Sequence, residues 1–382
     1  MKIEASPLRT VMSNYDSVHD YFGWPSVTRL RDGRLAAAAS GFRLHHVDPF
    51  GKVVLSFSED EGVTWSAPTV VIDTPLDDRD SGLLPFGESG LLVSTFNNGI
   101  VNSRKSNDNF AFPWLRDYVA GYFRLLEAHP DPERCVGSLV RISHDNGRTF
   151  GPIRTVPVTS PHGPILAPDG SFLYVGNLHR MEDGVVRQDS RSLRCCRFTE
   201  DGGTELLGAI PPIEEGYSAE EPHAAFLPDG KLIVHIRTQG SSKNADSVFT
   251  VYQSESEDGG HTFTTPHSIG VELLGGSPPH LLPDGDTLIS VYARRAEPHQ
   301  LRAAFSRDGG KTWDCDNVIA NLPDPHSDFG YPSSVKLKNG NILTVYYGGD
   351  PAVPNVSRFM GVGVVYEYPT PVVRAVEWRY FD

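Results

Sequence analysis

Four stretches share one pattern: SEDEGVTW at Ser58–Trp65, SHDNGRTF at Ser143–Phe150, SEDGGHTF at Ser256–Phe263 and SRDGGKTW at Ser306–Trp313. A worn fifth copy is TEDGGT at Thr199–Thr204. The residue types specify a tight turn between two strands. Asp accepts backbone N–H groups, Gly takes a positive φ, and the closing aromatic packs beneath the turn. This reads as a structural staple rather than as catalytic machinery.

A second element alternates with the first: an apolar run, a Pro-Asp-Gly-like turn, and another apolar run. It appears as LRDGRLAAAA around Asp32, LAPDGSFLYV around Asp169, LPDGKLIVHI around Asp229, LPDGDTLISV around Asp284 and LKNGNILTVY around Asn339. The last four turns stand 60, 55 and 55 residues apart, and the longer gap after Asp32 holds GLLPFGESGLLVSTF near Gly87 as one more unit. Six units with two hairpins each predict six four-stranded blades, so residues 1–382 form a single all-β, six-bladed β-propeller. Closing the ring removes exposed sheet edges. One terminal strand, within Ile3–Met12 or Val372–Tyr380, is expected to complete the last blade.

Only residues 97–138, in blade two, break this rhythm. PWLRDYVAGYFRLLEAHP places Trp114, Tyr118, Tyr122, Leu125 and Leu126 at helical spacing behind an N-terminal proline, which predicts a short amphipathic helix ended by Pro130. Whether it roofs a pocket or pads the outside is open at this stage.

Composition narrows the classes of function. The chain has 37 Gly and 30 Pro, yet 39% of it is apolar, enough for a large core. Its formal net charge of −14 is spread through turns and makes nucleic acid an unexpected partner. Cys135, Cys195, Cys196 and Cys315 follow neither a metal spacing nor a disulfide framework, so reduced thiols are expected. The sequence has no stretch apolar enough to span a membrane and no signal peptide, so the chain as written reads as cytoplasmic, or as secreted if a signal peptide has been removed.

In a propeller the innermost strands line the central channel, so the segments before each Pro-Asp-Gly turn converge on one pocket. These are FGWPSV (Phe22–Val27), DDRDSG (Asp77–Gly82), SPHGPI (Ser160–Ile165), AEEPHAA (Ala219–Ala225), GSPPHL (Gly276–Leu281) and FGYPSS (Phe329–Ser334). Their concentration of His, charged and aromatic residues marks the candidate site.

The four Asp-boxes between six hairpins resemble the sialidase (neuraminidase) superfamily over nearly the whole chain. The resemblance implies a Tyr nucleophile assisted by a Glu, an Asp acid/base in a first-blade loop, and three arginines on the substrate carboxylate. Glu221 stands eight residues before the turn Asp229, Arg237 eight after it, and Tyr331 eight before the turn Asn339, where the family keeps its Glu, its second Arg and its Tyr. Asp48, ten residues before the first box, lies in the acid/base loop, although GFRLHHVDPFG does not reproduce the family's local sequence. The family's first arginine is replaced by Gly23 and Trp24, and the third has Arg294, Arg295 and Arg302 as candidates, with His299 nearest the expected place. A carboxylate needs dense bidentate positive charge, so these departures argue against sialic acid as the substrate.

A phenol has a pKa of about 10 and is a poor nucleophile until a carboxylate takes its proton, which is the physical case for pairing Tyr331 with Glu221. Arg237, Arg79, Asp80, His162, His223, His280 and His299 are the expected binding groups, and Trp24 is expected to stack on a sugar ring. No cofactor is expected. The histidines His45, His46, His162, His223, His280 and His299 nevertheless leave a divalent metal open, as they do acid/base work by a histidine. The leading expectation is an exo-acting glycoside hydrolase with a carbohydrate substrate. The alternatives are a His/Tyr-dependent polysaccharide lyase and a non-catalytic glycan-binding propeller.

Overall fold

The computed structural model describes residues 1–14, 17–100, 103–104, 113–131, 135–182, 185–213, 217–240, 249–271, 276–323, 328–350 and 370–381. Within them lie six antiparallel sheets arranged as the blades of a propeller. Blade one runs from Tyr21–Arg29 at the centre through Leu35–Arg43 and Lys52–Ser58 to Thr69–Ile72 at the rim. Blade six uses both chain ends: Pro371–Phe381 is its third strand and Lys2–Ala5 its outermost, pairing Lys2 with Phe381.

The core is a set of wedges between neighbouring blades. The run Leu35-Ala36-Ala37-Ala38-Ala39 shows how one strand serves two of them. Its alternate side chains divide: Leu35, Ala37 and Ala39 pack with Leu343, Val345 and Ala375 of blade six, while Ala36 and Ala38 pack with Leu83, Leu91 and Val93 of blade two. A strand buried on both faces therefore reads as a continuous apolar run.

The four boxes are equivalent turns on the outer side, each following the third strand of its blade. Asp60, Asp145, Asp258 and Asp308 each accept a bond from the Ser two residues earlier at 2.7–2.9 Å and from the Thr four residues later, at 2.8–2.9 Å from its N–H and 2.6 Å from its hydroxyl. These bonds hold the carboxyls low, Asp60 and Asp308 near 2, led by the Thr hydroxyl. The box aromatic can also reach the next blade: Trp313 Nε1 donates to Gln253 Oε1 at 2.9 Å.

The insertion does contain the helix, over Pro113–Glu127. Its buried side is Val119, Phe123 and Leu126, packed on Leu44, Leu76, Ile100 and Val136. Tyr118 and Leu125, expected on the apolar face, are exposed instead, and the Trp114 side chain lies outside the described residues. Phe50 stacks on Tyr118 at 5.2 Å and meets Tyr122 at 5.0 Å, so the helix buttresses the first-blade loop around residues 44–50. Among the described residues no helix is long and apolar enough to cross a membrane, and the four cysteines are unbridged.

Candidate active site

Innermost strands would send their side chains sideways into the neighbouring blades, were it not for one repeated irregularity. Trp24, Asp80, His162, Glu221 and Tyr331 all have positive φ, at 52°, 32°, 69°, 48° and 53°. They occupy matching places in blades one, two, three, four and six. The strand pairing slips there in four of them, between Gly23 and Ser26, Arg79 and Gly82, Glu220 and His223, and Gly330 and Ser333. In blade three the innermost strand is instead interrupted around His162, between Val158–Thr159 and Ile165–Leu166. A left-handed residue at a bulge re-aims its side chain, here toward the centre. Such conformations cost about 1–3 kcal/mol each in residues other than glycine, persist where the surrounding structure fixes them, and cluster at active sites.

Two of these residues meet across the ring. The Tyr331 hydroxyl donates to Glu221 Oε1 at 2.5 Å. The other carboxylate oxygen, Oε2, accepts from Arg237 Nη1, which also lies 3.4 Å from the Tyr331 hydroxyl. Burial, reinforced by the Glu221 charge, holds the phenol well above its usual pKa, so it rests protonated beside its acceptor. Arg295 lies 5.6 Å from the Tyr331 ring centroid and donates to Tyr347 at 3.1 Å and to the Phe329 carbonyl at 2.6 Å. Of the three arginines considered from sequence, it is the one beside Tyr331; Arg294 turns to the carbonyls of Ala296 and Glu297, and Arg302 pairs with Asp316.

A pocket of about 140 Å³ opens next to Glu221, lined by Asp80, Phe96, Thr159, Ser160, Pro161, Asn177, Glu220 and Glu221. Burial, with the Glu221 charge adding to it, pushes the Asp80 carboxyl up to about 7. Burial raises Glu220 as well. The pocket therefore offers carboxyl groups, an amide and hydroxyls, and among the described residues no arginine lines it.

Two expectations need correction. Asp48 does not face the pocket. Its side chain is closed off from solvent and accepts N–H bonds from Leu44 at 3.1 Å, His45 at 2.9 Å and Phe50 at 2.7 Å, with Arg43 Nε at 3.9 Å. It organises its own loop, because its carboxylate is spent on three backbone donors of that loop in a site with no access to solvent. Trp24 offers no open face either. It is 1% exposed, with Arg79 4.2 Å and Arg43 4.8 Å from its ring, and it packs with Tyr21, Tyr331 and Tyr347. Arg79 itself reaches the His46 carbonyl at 3.0 Å and Asp77 at 3.3 Å.

The histidines separate into three places. His162, His223 and His280 meet at the channel, with centroids 5.5, 5.2 and 4.4 Å apart, the last pair stacked. They line a second cavity of about 240 Å³ that shares no lining residue with the pocket beside Glu221. Burial keeps all three neutral, with pKa values well below normal. His299 packs on Phe329 at 5.0 Å. His45 is pushed down to about 4, chiefly by burial, and its neighbour His46 lies 5.0 Å from the Trp24 ring. Among the described residues no three His, Cys, Asp or Glu side chains are grouped as metal ligands would be.

Sequence reasoning missed Asp328, Tyr347 and Tyr21. Asp328 accepts from Tyr347 at 3.0 Å and from Tyr21 at 3.1 Å, and sits 2.9 Å from His46 Nδ1. Its position immediately before FGYPSS was the one available signal.

The BNR repeat-like domain matches residues 124–346. Among solved structures, a protein of unknown function from Dyadobacter fermentans has a TM-score of 0.70 at 19% identity, covering 99% of each chain. The NanB sialidase of Streptococcus pneumoniae gives 0.64 at 14%, covering 97% of this chain and 70% of that one. A Trypanosoma rangeli sialidase with a difluorosialic acid, described as a covalent intermediate, gives 0.55 at 14%, covering 98% and 58%. Curated proteins yield no match. With more than half its length matched and the ring of six blades in place, the chain belongs to the BNR repeat-like family and is a sialidase-like propeller.

Proposed function

We propose that the protein is a glycoside hydrolase that removes a terminal sugar from a glycan through a Tyr331 nucleophile, with Glu221 as its base. The observation that carries this reading is the 2.5 Å bond from the Tyr331 hydroxyl to Glu221 Oε1, made by two strained residues of different blades. As Tyr331 attacks the anomeric carbon, its proton passes to Glu221, and Arg237 steadies the shared charge. A tyrosine nucleophile is a known exception among glycosidases. A sialidase that shares this fold is described with a difluorosialic acid as a covalent intermediate, a precedent for covalent chemistry on such a propeller. The pocket's carboxyl, amide and hydroxyl lining suits a sugar read through its hydroxyl groups.

The test is a panel of aryl glycosides and uronic-acid polysaccharides, followed by Tyr331→Phe on whichever substrate is cleaved. Addition of water to the product and loss of turnover in the variant support the reading. An unsaturated, ultraviolet-absorbing product would instead identify a lyase, and glycan binding without turnover a binding propeller.

A further inference from the structure

The first-blade loop loses Asp48 as its acid/base, yet it places another titratable group beside the tyrosines. His46 is the half-open member of the site, with a side chain 38% exposed. Its backbone carbonyl is held by two arginines, Arg43 at 3.1 Å and Arg79 at 3.0 Å. Arg43 is in turn anchored on Asp77 at 2.5 and 2.9 Å. Its ring stands edge-on to Trp24 at 5.0 Å, and the Trp24 ring in turn meets that of Tyr331 at 6.4 Å. Nδ1 faces Asp328 Oδ1 at 2.9 Å and the Tyr21 hydroxyl at 3.0 Å. Asp328 is itself fixed by the hydroxyls of Tyr21 and Tyr347, the latter also bonded to Arg295. Although burial pushes Asp328 up, His46 and Arg295 outweigh it and keep the carboxyl ionised, well below its usual range.

We propose that His46 is the catalytic proton donor and acceptor of the hydrolase and that Asp328 is its positioning residue; this rests on the hydrolase reading above. Asp328 accepts from Nδ1–H, which fixes the tautomer and leaves Nε2 for the substrate. In the first step the protonated imidazole gives its Nε2 proton to the glycosidic oxygen as the bond from that oxygen to the anomeric carbon breaks. The Tyr331 oxygen bonds to that carbon and its proton goes to Glu221. In the second step neutral Nε2 takes a proton from water, whose oxygen attacks the anomeric carbon. The bond to Tyr331 breaks, Glu221 returns its proton to the phenolate, and free sugar leaves.

A proton donor is needed most where the leaving group is a poor one. The experiment therefore measures kcat/KM of the wild type, His46→Gln, Asp328→Asn and Tyr331→Phe on two glycosides of one sugar, with a nitrophenyl and an alkyl leaving group. The expected result is a loss of about 10²- to 10⁴-fold on the alkyl glycoside for His46→Gln, with the nitrophenyl glycoside within about tenfold of wild type. Asp328→Asn should show the same asymmetry more weakly, whereas Tyr331→Phe should lose both substrates. Equal losses on both substrates, or none, for His46→Gln with Tyr331→Phe inactive would overturn the role of His46 alone. Activity retained in Tyr331→Phe, or no turnover of any glycoside, would overturn the hydrolase reading and this role with it.

Discussion

Tyr331 and Glu221 stand 110 positions apart in the chain, yet the phenol of one donates to the carboxylate of the other at 2.5 Å. Each reaches the other because its own innermost strand breaks register and turns it inward with positive φ. Two residues that transfer one proton should behave as a unit. Tyr331→Phe and Glu221→Gln should each lower kcat by orders of magnitude, and the double variant should be little worse than either. Strictly multiplicative losses would argue for separate roles.

The arginines predict what the site rejects. Arg237 is committed to Glu221, Arg295 to Tyr347 and the Phe329 carbonyl, and Arg79 to Asp77, the His46 carbonyl and the face of Trp24. A substrate carboxylate would have to compete for guanidinium groups already paired, beside a pocket lined by Asp80, Glu220 and Glu221. The expected kcat/KM for an aryl sialoside is therefore at least about a hundredfold below that for the best neutral glycoside, about 2.7 kcal/mol of transition-state binding. Comparable values would show that the arginines re-pair around the ligand.

The ring was legible in the sequence because its signals are local. An Asp bonded to the Ser two residues before it and the Thr four residues after it must leave a short motif, and the copies count the blades. Tyr331, Glu221 and Arg237 were legible because each keeps a fixed offset from its hairpin turn. Asp48 was misread because its loop is set by where the backbone N–H groups of Leu44, His45 and Phe50 turn, which residue types alone do not reveal. The dyad of His46 and Asp328 spans 282 positions and two blades, so no spacing within a repeat reports it. Nor does any spacing show that Trp24 is covered by arginines from two different strands.

The three channel histidines make stability sensitive to acid. Their folded pKa values lie well below the unfolded value of about 6.5, with burial as the main cause. The unfolded chain binds more protons below that pH, so this contribution is present above it and is lost as pH falls. Each histidine contributes about 1.4 kcal/mol per pH unit in that window. Asp78 and Asp80, raised to about 7 by burial, act with the opposite sign between about pH 4 and 7, so a difference measurement is needed. The drop in Tm between pH 7.5 and pH 5.5 should shrink in His162→Gln relative to wild type. An unchanged drop would mean that His162 titrates normally in the folded state.

The boxes should be dispensable for chemistry and costly for the fold. Asp308→Ala removes the acceptor of the Ser306 and Thr312 hydroxyls and of the Lys311 and Thr312 N–H groups, in a turn whose Trp313 ties blade five to Gln253 of blade four. A fall in Tm of a few degrees with kcat/KM unchanged is expected. A loss of turnover in the folded variant would show that the rim communicates with the channel.

Asp48 provides the control for His46, because the two lie in one loop and only one is assigned to proton transfer. Asp48→Ala would strand three buried N–H donors and leave Arg43 with Asp77 as its remaining carboxylate, so it should destabilise the protein by about 3–5 kcal/mol. Asp48→Asn keeps one accepting oxygen and most of the volume, so a folded variant is expected, with Tm lowered. Because Asp48 fixes the loop that carries His46, some turnover should be lost as the imidazole loosens. That loss should fall on nitrophenyl and alkyl glycosides to a similar degree, since no proton donor has been removed. If Asp48→Asn instead spared the nitrophenyl glycoside and lost the alkyl one, Asp48 would be the acid, reached through a rearranged loop, and His46 would be a bystander.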